Sequence, residues 1–204
     1  MTTTWASTIA APPPSGISLK ALVTRYGPLD VKTAEQHIEE VARQLQEIHS
    51  SGELYRAVRP DHIFVDETGI ARLAVLQISS LVEAEMPSSF AMAEEASLPI
   101  VDFLAPEAAL NSHSNDARSD IYSLGCTMYF LLTGRPPFPD GSVSERLLQH
   151  QTATPDTIQS LRPDVPLALI SICNTMMAKK PNERFQTAKE VADTIAAWRT
   201  QDDA

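Results

Sequence analysis

The stretch from Ser119 to Thr133 constrains this chain more than any other. Ile121, Tyr122, Leu124, Met128, Tyr129, Phe130, Leu131 and Leu132 leave it almost continuously apolar, and Gly134 with Pro136 and Pro137 ends it. It falls short of the roughly 20 apolar residues that a membrane span needs. A helix that is apolar on every side has to be enclosed by other elements. The remainder of the chain must therefore supply a shell around one central helix.

The flanking segments read as that shell. Asp30 is a helix N-cap, and behind it Ala34, Ile38, Val41, Ala42, Leu45 and Ile48 recur at three- and four-residue steps until Gly52. That spacing places them on one core-facing stripe of a long helix. A shorter helix, Leu19 to Arg25, stops at Gly27-Pro28, because proline biases its predecessor away from helix. Further helices are expected over Ser144 to His150 and over Pro166 to Lys179. A last one opens with Thr187 and Glu190 at capping-box spacing and presents Val191, Ile195 and Trp198. Between residues 54 and 77 the period changes. Ile63-Phe64-Val65 and Ile70 to Leu76 flank the turn chemistry of Asp66 to Gly69, which predicts a small hairpin. Residues 78–104 are irregular and acidic, with Ser88, Ser89, Glu94 and Glu95. The predicted class is mainly α with one small β-hairpin, as a single domain over residues 17–199. Residues 1–16, proline-rich, are expected to be a disordered tail, and residues 200–204 a C-terminal tail.

Composition narrows function by exclusion. Asp+Glu number 26 against 16 Lys+Arg, a formal net charge of -10. Nucleic acids and anionic membranes select the opposite sign. Cys126 and Cys173 lie inside apolar helical patterns and read as buried thiols. The histidines (His37, His49, His62, His113 and His150) show no ligand spacing, so no metal site is expected. The N-terminal stretch lacks the features of a signal peptide. The expected location is the cytoplasm.

Several short segments, in order, carry a resemblance. Tyr55-Arg56-Ala57-Val58-Arg59-Pro60-Asp61-His62 sits between the long helix and the hairpin. Leu104-Ala105-Pro106-Glu107 follows the acidic stretch. Ser119-Asp120-Ile121-Tyr122-Ser123-Leu124-Gly125 opens the central helix, Leu132-Thr133-Gly134-Arg135-Pro136-Pro137-Phe138 closes it, and Pro181-Asn182-Glu183-Arg184-Phe185 precedes the last helix. In this order and spacing they resemble the catalytic loop, the A-P-E segment and the large-lobe motifs of the eukaryotic-like Ser/Thr protein kinases of bacteria. The resemblance covers about Ile17 to Arg199 and implies a protein kinase-like C-terminal lobe, with no N-terminal lobe before it. It implies an ion pair between Glu107 and Arg184. It also implies that Asp120 accepts backbone N–H bonds from the loop. Arg56 is retained and would be the partner of any phosphate on the acidic stretch.

The same resemblance marks losses. The position of the proton-accepting aspartate is Ala57, that of the loop lysine Arg59, and that of a magnesium-binding asparagine His62. Val75-Leu76-Gln77 stands where a D-F-G triplet belongs, so Val75 offers no metal ligand. Neither a Gly-rich loop nor a V-A-I-K strand precedes these motifs. These losses imply a pseudokinase, with no enzymatic activity, no cofactor and little prospect of ATP binding. The chain would act as a protein-binding or scaffold module. The alternative is an ATP-dependent phosphotransfer component completed in trans by a separate nucleotide-binding lobe. Without such a lobe, Ile63, Phe64, Val65 and Leu76 would form an exposed apolar shelf, a surface for a protein partner or for self-association.

Overall fold

The computed structural model describes residues 16–74, 100–110 and 115–202. Strand β1 (Ile17–Ser18) leads into helix α1 (Leu19–Tyr26) and the long α2 (Val31–Ser50). A short 3-10 turn (Pro60–His62) precedes strands β2 (Ile63–Val65) and β3 (Ala71–Leu73). Helices α3 (Pro106–Leu110), α4 (Ala117–Thr133), α5 (Val143–Thr152), α6 (Ile158–Leu161), α7 (Leu167–Met176) and α8 (Ala188–Asp202) complete the chain. The fold is mainly helical, as expected. No helix among the described residues is long and apolar enough to cross a membrane.

The central helix is α4. Ile121, Tyr122, Leu124, Met128, Leu131 and Leu132 are fully buried, and α2, α7 and α8 pack around them. Helix α2 begins where Asp30 accepts a hydrogen bond from the Thr33 amide at 2.9 Å, and it buries the stripe Ala34, Ile38, Val41, Ala42, Leu45 and Ile48. Its partner α8 starts with the Glu190 amide bonded to Thr187 Oγ1 at 3.2 Å. The Glu190 carboxylate reaches one residue further back than the usual box, to the Gln186 amide. Cys126 and Cys173 are buried and free.

Helix boundaries moved where side chains took over the capping. Asp116 caps α4 through the Arg118 amide, so that helix begins before Ser119. Ser142 and Glu145 form a full capping box that starts α5 at Val143. Helix α7 ends at Met176, short of Lys179, because the next residues turn their carbonyls elsewhere. Those of Ala178 and Lys179 accept hydrogen bonds from Arg184.

The close approach of α4 and α7 depends on Gly125. A Cβ at this position would lie 2.8 Å from Met176 Cβ and 3.3 Å from the Met177 amide nitrogen, and neither atom can move without shifting α7. Gly125→Ala is therefore expected to destabilise the chain by about 1–3 kcal/mol through overpacking, although alanine is the better helix former. A urea melt reads the effect. An unchanged or raised midpoint would show that α7 yields without cost.

The sheet holds three antiparallel strands in the order β1-β2-β3, one more than the expected hairpin. Ile17 pairs with Val65 and Ser18 with Phe64. Gly16 makes this approach possible, since a Cβ there would sit 2.2 Å from the Val65 carbonyl oxygen. On the other side, α2 side chains take the place of a fourth strand. Glu40 accepts from the Ala71 amide, and Gln44 bonds both the Ala71 carbonyl and the Leu73 amide. A strand edge left open is an aggregation template, and these two side chains close it.

The expected apolar shelf is corrected here. Successive residues of a strand point to opposite faces, so Ile63, Phe64 and Val65 cannot share one. Ile63 is fully buried, Val65 packs partly against the core, and Phe64 alone of the three faces outward, half-buried. Leu76 lies outside the described residues, as do Val75, His113, Ser88, Ser89, Glu94, Glu95 and residues 1–15.

Candidate functional site

The site is built on the loop from Leu54 to His62, and one carboxylate holds that loop in place. Asp120, 2% exposed, projects from the first turn of α4. Its Oδ2 accepts from the Tyr55 amide at 2.9 Å and its Oδ1 from the Arg56 amide at 2.7 Å. His49 Nε2, from the last turn of α2, lies 2.8 Å from the same Oδ2. Hydrogen bonds to a buried carboxylate are charge-assisted and strong. They hold Arg56 at φ 62, the one positive φ outside glycine among the described residues. The strain of that backbone conformation is maintained by the Asp120 clamp. The Arg56 side chain is exposed.

Tyr55 fixes the far end of the loop. Its hydroxyl donates to the Ala74 carbonyl at 3.0 Å, which ties the loop to the end of β3. Burial, with the charge of Asp120 behind it, pushes the phenol well above its ordinary range. It is a structural group and stays protonated.

Ala57, Arg59 and His62 are brought together. His62 Nδ1 lies 3.0 Å from the Ala57 carbonyl oxygen, so this nitrogen carries the proton and donates it. That leaves Nε2 as an acceptor, and Arg59 meets it with Nη2 at 2.6 Å and Nε at 3.2 Å. Arg59 is 8% exposed and also approaches Asp61 Oδ1 at 3.2 Å. The loop positions that resembled those of a proton acceptor, a lysine and a metal ligand thus bond to one another. Ala57 brings no side-chain acceptor. Among the described residues no group of His, Cys, Asp and Glu is arranged to hold a metal ion.

A second anchor lies beside the loop. Arg184 and Glu107 form a two-pronged pair, Nη1 to Oε1 at 2.7 Å and Nη2 to Oε2 at 2.9 Å. The Ser119 hydroxyl donates to the same Glu107 Oε1 at 2.7 Å. Arg184 also donates to the carbonyls of Arg118, Ala178 and Lys179, so every N–H of its guanidinium has an acceptor. Its guanidinium lies 4.8 Å over the Tyr122 ring. Burial raises the Glu107 carboxyl, but the hydrogen bonds from Arg184 and Ser119 outweigh it and leave the group below its ordinary range.

Three contributors carry no local signal in the sequence. His49 is distant from Asp120 along the chain, and no local pattern links them. Ser119 lay inside a motif without an assigned role. Asp102 pairs with Arg146 at 2.6 Å, both largely buried, and this joins the segment before α3 to α5.

The comparisons with known proteins fit this architecture. A family model described as protein kinase domain matches residues 7–195. The chain belongs to the protein kinase domain family. It is 34% identical over 182 residues to a probable serine/threonine-protein kinase of Corynebacterium efficiens, covering 87% of this chain and 27% of that protein. Serine/threonine-protein kinase PknB of Mycobacterium tuberculosis is 32% identical over 181 residues, 88% of this chain and 28% of that one. The probable kinase PknB of Corynebacterium glutamicum is 35% identical over 182 residues, with 87% and 28% covered. The chain therefore spans little more than a quarter of the length of these relatives.

Family membership corrects the expectation of a non-enzyme. The matched family is that of the protein kinase domain and the named relatives are serine/threonine-protein kinases, which overturns that expectation. The expectation rested on Ala57, Arg59 and His62 in the loop, on Val75 in place of a metal ligand, and on the lack of a Gly-rich loop and a V-A-I-K strand ahead of them. Those substitutions say which groups this loop does not supply, whereas the family match extends over residues 7–195.

Proposed function

We propose that this chain serves as the protein-binding lobe of a Ser/Thr protein kinase. In this reading it takes part in ATP-dependent phosphotransfer as a platform, and a nucleotide-binding lobe in trans supplies the contacts to phosphate and metal. The observation that carries the reading is the Asp120 clamp. It holds the loop's Tyr55 and Arg56 amides in place although the Ala57 side chain has no proton acceptor. Phosphoryl transfer depends mainly on positioning and on neutralising charge, so a lobe that orients the acceptor contributes without supplying every reacting group. The inward-turned Arg59–His62 pair supports completion by another component, because these side chains already satisfy each other. Phe64, on the outer face of β2, belongs to the contact with that component.

The test uses tagged chain recovered gently from its native cells and supplied with labelled Mg·ATP and a peptide containing serine and threonine. The complex is expected to label the peptide, while the isolated chain neither labels it nor gains thermal stability from Mg·ATP. A nucleotide site within the chain would instead add about 2.7 kcal/mol at a hundred times Kd, and that gain would refute completion in trans. A complex that transfers no phosphate would refute the phosphotransfer role. Phe64→Ser is expected to release the partner at unchanged melting temperature, and retention of the partner would remove Phe64 from the contact.

A further inference from the structure

His150 is buried where its protonated form would meet no compensating charge. It stands in the last turn of α5 and is 0% exposed. Its Nδ1 lies 2.9 Å from the Tyr122 hydroxyl of α4. Its ring meets Phe138 edge-on, with centroids 4.9 Å apart, and Tyr122 at 5.8 Å. With Tyr122 donating to Nδ1, the ring proton sits on Nε2. That atom is buried without a well-aligned acceptor, although the Asp102 backbone carbonyl faces the ring.

The charged groups around it are cations. Lys179, from the turn after α7, places Nζ 4.8 Å from the Phe138 centroid and 5.9 Å from that of Tyr122. Arg184 lies over Tyr122. The nearby carboxylates are engaged, Asp102 by Arg146 and Glu107 by Arg184. Cys126, the other titratable group beside Tyr122, is buried, and burial pushes its thiol up, so it stays neutral. Burial, and then Lys179, lower His150 from 6.5 to about 3.

Helix α5 stands at the edge of the helical bundle. Its main packing partner among the described elements is the short α3, while α2, α4, α7 and α8 form the bundle. Regions with few buried contacts open independently of the core. Arg146, one turn before His150, holds Asp102, so the segment before α3 is tied to the same helix.

We infer that α5 and residues 100–104 form an acid-released unit, with His150 as the peg that fastens it to the bundle. Protonation is incompatible with the seated ring and compatible with the opened one. The sign follows from linkage. The opened form binds the extra proton between about pH 6.5 and pH 3, so attachment is complete at neutral pH and weakens as pH falls through that window. The equilibrium constant for opening is expected to be about 25-fold larger at pH 5 than at pH 7.

Hydrogen exchange of the full chain, corrected for intrinsic exchange at each pH, reads this directly. Amides of Val143–Thr152 and of residues 100–104 should open about 25-fold more at pH 5, while those of α2 and α4 change far less. In His150→Gln, which keeps an acceptor for Tyr122 but does not titrate, the difference should vanish. Equal change in α2, α4 and α5 would mean global unfolding and would overturn the proposal, as would a pH dependence that survives in His150→Gln. Should that variant fail to fold, the His150 ring resonances of the native chain decide. Titration near pH 6.5 in the folded state overturns the inference, and no titration above pH 5 supports it.

Discussion

Arg184→Ala is expected to lower the stability of the chain by about 3–5 kcal/mol, the cost of breaking a buried ion pair from one side. The Arg184 side chain is 0% exposed and that of Glu107 16%. Removing the guanidinium strands the carboxylate, and it also takes the donor from the carbonyls of Arg118, Ala178 and Lys179. Glu107→Ala leaves those three hydrogen bonds in place, so Arg184→Ala should cost more than Glu107→Ala. Equilibrium urea unfolding of both variants checks the order. If Arg184→Ala costs less than about 1 kcal/mol, the range of an exposed pair, the pair is not an anchor. The acid limb of the stability curve is a second readout. The folded carboxyl of Glu107 is depressed below 4.5. Its contribution is therefore complete above that pH and is lost as pH falls through the folded value. Glu107→Gln should flatten this limb.

Asp120→Ala is expected to cost about 4 kcal/mol and to loosen the loop from Leu54 to His62. Three donors lose their acceptor: the Tyr55 amide, the Arg56 amide and His49 Nε2. A buried donor left unsatisfied costs about 1–3 kcal/mol. Relaxation of Arg56 from φ 62 returns part of that cost, because the strain is no longer imposed. Asp120→Asn should fall between the variant and the parent, since a carboxamide has one acceptor oxygen and would turn an N–H toward one of the donors. Two measurements separate the roles. Urea unfolding gives the total cost, and amide exchange at Tyr55 and Arg56 reports the loop alone. Fast exchange at these amides with the rest of the core protected is the expected result. Undisturbed protection at both would show that the loop is held by Tyr55 and its contact with Ala74 instead.

These anchors also explain why the chain could be read as a non-enzyme from its sequence and yet belong to a family of kinases. A substitution at Ala57 or His62 stands out in a linear motif. The work of Asp120, Arg184 and Glu107 is spread over residues far apart, and it preserves the lobe whatever the loop presents.

Local chemistry is legible in the sequence. The apolar run from Ser119 to Thr133 dictated a central buried helix, and the stripe from Ala34 to Ile48 dictated the face of α2 that covers it. Asp30, Thr187 and the turn at Asp66 to Gly69 marked element ends, because caps and turns are set within a few residues. The ordered motifs were sufficient to recognise the family. Tertiary structure alone decided the rest. It placed His49 against Asp120, set Glu40 and Gln44 on the edge of β3, turned Ile63 inward and seated Phe64 beside β1. It closed Arg59 onto His62 and gave Arg184 three carbonyls besides its carboxylate. Each of these depends on where a backbone group or a distant side chain stands once the helices have packed, and neither periodicity nor motif spacing encodes that position.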